Sequence, residues 1–255
     1  MTEGRRATRK DVARRAGVSV AVVSYALNGR APVAPETKRR VLEAVAELGY
    51  QPNVTAQALK SGSARTIALI VPDGMNPFFT ELALAAESAA RERGCALYIT
   101  TSPDDQATTV SRFREFRARQ VDGVLAVPRH SIDPVELDAV GLPWVLFNSS
   151  VPVPGVASLG VDLYRGGLEA AGHLLGHGHR GVAFAGVTGE ARHRGWLEAC
   201  AAAGVEPGPA VTASFDREGG DRAGRELLAL PELPPAGFAA SDMLAGGLRR
   251  ARHEA

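Results

Sequence analysis

Apolar positions in the first fifty residues recur at helical spacing in three short runs. Val12, Ala13 and Ala16 form the first, Val22, Val23, Ala26 and Leu27 the second, and Val41, Leu42, Val45 and Leu48 the third. Each run has its own punctuation. Thr8 can cap the first helix, with Asp11 three residues on to reach back to the Thr8 N–H. Gly17 can stop that helix in the left-handed conformation, Val18 is the expected buried turn residue, and Ser19 caps the second helix, which Asn28-Gly29 ends. A third helix is predicted over 35–48 (PETKRRVLEAVAEL), closed by Gly49. Tyr50 to Asn53 then bends the chain into VTAQALKSG and a Gly/Ser linker. Two short helices on a tight turn, Thr8 to Leu27, predict a helix-turn-helix, whose dominant use is to lay its second helix in the major groove of DNA. Val20, Ala21, Ser24 and Tyr25 face outward on that helix, and an uncharged face suits base edges and methyl groups better than solvent.

From Thr66 the period changes to short apolar runs alternating with amphipathic helices. Strands are predicted at 67–71, 96–100, 123–127 and 144–147. A helix from Asn76 to Arg93 has Asn76 as cap, Pro77 at its first position, Gly94 at its end, and a stripe of Leu82, Ala85, Ala86, Ala89 and Ala90. Another over 106–119 buries Val110, Phe113 and Phe116. A second series begins after Gly160-Val161-Asp162, with helices near 164–175, 190–203 and 219–229, strands near 182–185, 210–213 and 237–240, and a helix starting at Ser241-Asp242. Near-continuous apolar strands with helical crossovers predict parallel sheets covered on both faces. Two such lobes joined near 148–162 place a ligand site at the carboxyl ends of the strands, in a cleft that closes by a hinge.

Charge sharpens the division. The net charge of +1 conceals 11 Lys/Arg against 5 Asp/Glu in residues 1–60 and 18 against 23 in residues 61–255, so +6 meets −5. A basic helical module on an acidic body is the footprint of a nucleic-acid binder. The segment MTEGRRATRKD has no apolar core of a signal peptide, and no run of 18 apolar residues follows, which predicts a cytoplasmic protein. Cys95 and Cys200 read as small buried hydrophobes in a reducing compartment. The G-x-G-x-x-G of 176–181 follows a helix and precedes a strand, the reverse of a dinucleotide site. His173, His177 and His179 lack the company that a metal site needs. No nucleophile elbow or carboxylate pair is present, so neither cofactor, metal nor enzymatic activity is expected.

Taken together, the chain resembles the lactose/galactose-repressor (LacI/GalR) family of bacterial transcription regulators. The matching stretches are DVARRAGVS-xx-VVS-xx-LNG, P-E-T-K-R-R-V-x-x-A-x-x-E-L-G-Y-x-P-N, D-G-M-N-P-F-F, R-x-x-VDGVL, G-V-D-x-x-x-G-G, L-x-x-x-GHR, R-x-x-GW and A-S-D-M-x-A-x-G, in order along the whole chain. The resemblance implies an all-α helix-turn-helix headpiece over 1–62, with a hinge helix at 53–60, and a periplasmic-binding-protein-like α/β body over 63–255. That body would have lobe one at about 66–150 and an incomplete lobe two at about 160–255. The implied function is a homodimeric regulator, more often a repressor, whose operator binding answers to a small, sugar-like effector. A small-molecule-binding protein, or a regulator fragment without effector response, is the alternative. An enzyme with an accidental helix-turn-helix is a third.

Roles follow from the resemblance by position. Val20, Ala21, Ser24 and Tyr25 would meet base edges and phosphates, with Thr8, Ser19, Asn28 and Thr37 at the phosphates and Arg9 also among the DNA-binding residues. Asn53 to Lys60 would be the hinge, with Asn53, Ala56 and Lys60 at the DNA and Leu59 wedged between base pairs of the minor groove. Asn76, Phe78 and Phe79 on the first lobe, Asn148 and Asp162 at the crossing, and Arg192, Phe215 and Ser241 on the second would hold the effector. The sequence departs from the family at Ala34, where Ser usually caps, at Val22 for Thr, at Tyr25 for Arg and at Ser241 for Asn. The family's remaining strands, return crossings and one acidic cleft position have no counterpart before Ala255. That predicts a truncated or partner-dependent regulator with impaired effector closure.

Overall fold

A computed structural model describes residues 7–29, 31–51, 58, 62–101, 105–127, 132–148 and 153–255. The chain divides into two compact units, residues 1–64 and 65–255.

The first unit contains three helices among the described residues. Helix α1 (Arg9–Ala16) starts on the capping box that the sequence predicts, with Thr8 and Asp11 bonding each other's backbone N–H, and ends on Gly17 at φ 65°. The Val18 N–H donates to the Ala13 carbonyl at 3.0 Å, which tightens the turn into α2 (Val20–Asn28). Val18 itself is half-buried rather than buried. Helix α3 (Pro35–Glu47) begins at Ala34, which makes no side-chain cap bond. Val12, Ala13, Ala16, Val23, Ala26, Val41 and Ala44 form the core, and Tyr50 closes it. The stripe on α3 differs from the predicted one. Leu42 and Leu48 are exposed, whereas Ala44 is buried. A short helix crossing a small three-helix core presents only a narrow strip, so small Ala44 fits the contact and Leu42 falls outside it.

The second unit holds two parallel sheets. The first runs β2-β1-β3-β4-β5, from β1 (Thr66–Val71), β2 (Ala96–Thr101), β3 (Gly123–Ala126), β4 (Trp144–Phe147) and β5 (Ser158–Leu159). Helices α4 (Pro77–Glu92), α5 (Gln106–Ala118) and the short α6 (Pro134–Asp138) cross between its strands. The second runs β7-β6-β8, from β6 (Ala183–Gly186), β7 (Ala210–Thr212) and β8 (Gly237–Ala239). Its helices are α7 (Leu163–Gly176), α8 (Ala191–Ala202), α9 (Arg217–Leu228) and α10 (Asp242–Glu254). All the pairings are parallel. Central β6 is buried throughout and β1 over its last four residues, as strands covered on both faces must be.

Sequence pattern missed α6 and β5, which are too short to show a period. Pairing of Leu159 with Phe147 makes β5 the edge of the first sheet rather than part of a free connection. The stripe on α4 is also rotated from the predicted one. Ala85 and Ala89 are exposed, while Phe79, Leu82, Ala83 and Ala86 pack on Leu69, Val71 and Val127. Alanines carry no directional signal, so the larger Phe79 and Leu82 set the helix rotation. Cys95 is half-buried rather than buried, while Cys200 is fully buried, and burial pushes its thiol up from the ordinary value.

The second lobe is tied by close helix pairs. A Cβ on Gly195 would lie 2.1 Å from the Tyr164 carbonyl oxygen, and one on Gly247 would lie 2.2 Å from that of Arg217. Only glycine lets α8 meet α7, and α10 meet α9, backbone to backbone.

Candidate functional site

Two groups of residues carry chemistry, one on the headpiece and one at the strand ends of the body. On α2, Val20 and Tyr25 are 41% and 43% exposed, Ala21 is exposed and Ser24 half-buried. No residue of this helix is charged. Ser19 accepts from the Val22 N–H at 3.3 Å, and Asn28 donates through Nδ2 to Ser24 Oγ at 3.2 Å. Thr8, Ser19 and Thr37 lie at the starts of α1, α2 and α3, where unpaired backbone N–H groups favour anions. Thr8 uses its hydroxyl internally, donating to Asp11 Oδ2 at 2.6 Å.

Structure sorts the basic residues in a way that composition does not. Arg14 pairs with Asp11 at 3.3 Å, Arg15 with Glu47 at 2.7 Å, and Arg39 with both Glu36 and Glu43 at 2.6 Å. Lys10, Lys38 and Arg40 are exposed and form no ion pair among the described residues. Arg9 is half-buried, with its Nε shielded and unbonded. Among the described residues, these four are the headpiece cations left for an outside anion. Only Arg9 among them is legible as a site residue from the motif; the rest show in the sequence merely as part of the +6 charge. Asn53, Ala56, Leu59 and Lys60 lie outside the described residues.

In the body, strand order reverses between β1 and β3 and between β6 and β8, which opens a crevice at the carboxyl end of each sheet. The predicted effector residues follow strand ends. Asn76 comes after β1, is 9% exposed, and accepts from the Phe78 N–H at 3.0 Å as the cap of α4. Phe78, half exposed, stands edge-on to Phe79 with ring centroids 5.2 Å apart. Asn148, after β4, adopts φ 54° while its N–H donates to the Leu159 carbonyl at 2.7 Å. Such left-handed backbone outside glycine is concentrated at functional positions. Asp162 and Ser241 cap α7 and α10, accepting from the N–H groups of Arg165 and Leu244. Each cap keeps spare capacity: the Asn76 amide N–H groups, one Asp162 oxygen and the Ser241 hydroxyl proton.

Arg192 and Phe215 are the pair that the fold brings into contact. The guanidinium lies 4.9 Å from the Phe215 ring centroid, and Glu190 sits 3.6 Å from it. The Arg192 Nε is buried without a partner. Burial pushes Arg192 below and Glu190 above their ordinary values, so lost hydration outweighs their mutual attraction. Glu190 was not singled out by the sequence, although its place two residues before Arg192 is the available signal. His193, beside Arg192, packs between Phe184 and Trp196 with Nδ1 buried and unpartnered. His173 and His177 stack edge to face at 4.6 Å, and no group of three metal-ligating side chains forms among the described residues. No described helix is long and apolar enough to cross a membrane.

Residues 8–53 match the family described as bacterial regulatory proteins, lacI family, and residues 64–254 match the periplasmic binding proteins and sugar binding domain of LacI family. The chain belongs to the lacI family of bacterial regulatory proteins. It is 31% identical over 251 residues to the HTH-type transcriptional repressor PurR of Mannheimia succiniciproducens, covering 94% of this chain and 75% of that protein. Identity to the HTH-type transcriptional regulator DegA of Bacillus subtilis is 32% over 247 residues, with 92% and 73% covered. The transcriptional regulator CelR–cellobiose complex superposes with TM-score 0.67 at 31% identity, over 98% of this chain and 78% of that one. The lac repressor dimer bound to operator and an anti-inducer gives TM-score 0.86 at 24% identity over 98% and 78%, a likeness of fold. This lacI-family chain is thus a DNA-binding transcription regulator with an effector-binding body, in a family of regulators and not of enzymes.

Proposed function

We propose that this regulator is a homodimeric, cytoplasmic repressor whose headpiece, residues 1–62, grips an operator. Its body, residues 63–255, holds a small polar effector at the strand ends of lobes at about 66–150 and 160–255. The observation that carries the reading is the uncharged, exposed face of α2 in a unit whose Lys10, Lys38 and Arg40 have no ion-pair partner among the described residues. Such a face gains by meeting base edges, and the cations gain by meeting phosphates.

In the body, Arg192 with its unbonded Nε on the Phe215 ring supports a polar ligand with an apolar face, such as a sugar. Asn76, Phe78, Phe79, Asn148, Asp162 and Ser241 complete that set. CelR was solved with cellobiose, and a family regulator from Enterococcus faecium with ribose. Dimer formation is supported by Leu84 on α4 and by Tyr98 and Ile99 on edge strand β2, all more than half exposed. A second copy would cover this apolar edge, and one headpiece alone offers few base contacts. The roles of Asn53, Ala56, Leu59 and Lys60 rest on the family resemblance.

The test is a mobility shift with the full chain on its own upstream DNA, repeated across salt concentrations. Specific binding whose logarithm falls steeply and linearly with the logarithm of salt is expected, with Leu59→Ala losing specific but not non-specific affinity. Binding that ignores sequence, or Leu59→Ala weakening both modes equally, would sink the respective parts of the reading.

A further inference from the structure

We propose that α2 reads its operator chiefly through thymine methyl groups, with Val20 and Ala21 as the specificity-determining residues, and makes no bidentate contact with guanine. The inference rests on the reading that α2 enters the major groove. Each base pair shows a different pattern there. Guanine shows two acceptors that a forked or ammonium donor recognises, adenine an acceptor and a donor that suit an amide, cytosine a donor that suits a carboxylate, and thymine a methyl group.

Helix α2 is VAVVSYALN, and its side chains exclude the first three modes. It has no Arg, Lys, Asp, Glu or Gln. Its single amide, Asn28, stands at the last position and donates to Ser24 Oγ at 3.2 Å. Tyr25 is exposed and Ser24 half-buried, but a single hydroxyl on each cannot supply the two donors that single out guanine. What remains at the start of the helix, where base edges are met, is the isopropyl group of Val20 and the methyl group of Ala21, both exposed.

Among the described residues, no cation stands on this face of α2. Arg14, Arg15 and Arg39 are held by carboxylates on the headpiece itself. Arg9, Lys10, Lys38 and Arg40 belong to α1 and α3 and not to α2, the helix of such a motif that enters the groove. Pressing Val20 or Ala21 onto a G·C pair would strip water from its donors and acceptors and return no hydrogen bond. Pressing them onto a thymine methyl buries apolar surface on both sides. Discrimination therefore works in both directions, by attraction to the methyl and by the stranded polar groups of the wrong pair.

The experiment begins with selection of bound sequences from a random DNA library by the full chain, followed by resynthesis of the selected site with single thymines replaced by uracil. Uracil differs from thymine only by the missing methyl. Removal of one methyl under α2 is expected to weaken binding about fourfold, and symmetric removal in both half-sites about fifteenfold. Uracil outside these positions should change nothing. Val20→Ala, a change at an exposed site with folding checked by circular dichroism, should abolish most of the thymine–uracil difference at its own base. A selected site with G·C pairs under α2, or uracil substitution without effect, overturns the methyl reading while leaving operator binding intact. Failure to enrich any sequence overturns operator recognition itself, and the inference with it.

Discussion

Gly195→Ala tests whether the second lobe depends on backbone contact between α7 and α8. The added Cβ would sit 2.1 Å from the Tyr164 carbonyl oxygen and 2.6 Å from the Leu168 nitrogen. Ordinary contact begins near 3.4 Å, and both obstacles are backbone, so no side chain can swing away. The two helices must part by about 1 Å, which forfeits a quarter to a half of each contact energy along the seam. Overpacking of this kind costs about 1–3 kcal/mol, and the gain in helix propensity returns about 1 kcal/mol, for a net loss of about 2 kcal/mol at the upper end. Gly172→Ala, on the exposed side of α7 with open space around its Cβ, should instead gain about 0.5–1 kcal/mol. The two substitutions are chemically identical, so their difference isolates the seam. Urea denaturation in a Trp144→Phe background reports through Trp196, which is 1% exposed and donates to the Val182 carbonyl at 3.1 Å. Arg192 stands in the first turn of α8, so effector affinity should fall with stability. If Gly195→Ala leaves the urea midpoint at or above the parent's, the backbone-contact argument is wrong.

The headpiece and the body each offer one further test. Ala34→Ser should add about 1 kcal/mol to headpiece stability, because α3 begins without a side-chain cap, and Thr8→Ala should remove about as much by breaking the capping box. Thermal melting by circular dichroism measures both, and an unchanged Ala34→Ser melt would refute the first. Burial pushes the His193 imidazole below its ordinary value of 6.5. An unfolded chain then takes up a proton near that value while the folded one stays neutral. Stability is therefore full above pH 6.5 and declines as pH falls below it towards the lowered folded value. His193→Phe should flatten the urea midpoint between pH 7.5 and 5.5, by a slope no greater than about 1.4 kcal/mol per pH unit. An unchanged slope in the variant would assign the acid sensitivity elsewhere.

Helix starts were readable because a cap acts over three residues. Thr8, Ser19 and Asn76 cap in the structure as their spacing predicts, and the alternation of strand and helix is equally local. Motif order extended that reading to the family. Side-chain orientation on marginal stripes was not readable, as Leu42 and Ala85 show, because a helix rotates to suit the element it packs on. The five-residue α6 and two-residue β5 carry too few positions to display a period.

Local chemistry along the chain thus specifies which segments become helix or strand, which turns need glycine, and that the headpiece is basic. Tertiary structure alone decides which of its cations remain available. Arg15 is neutralised by Glu47, a residue distant in sequence, while Lys10 is not. The same holds for Arg192, which becomes a candidate ligand-binding group only when folding buries its Nε and lays its guanidinium over Phe215. Gly167 and Gly195 meet only in the packed pair, where each would strike the other helix's backbone if it carried a Cβ. Burial, charge pairing and close approach depend on distances between segments remote along the chain, and those distances exist only once the sheets and helices have packed.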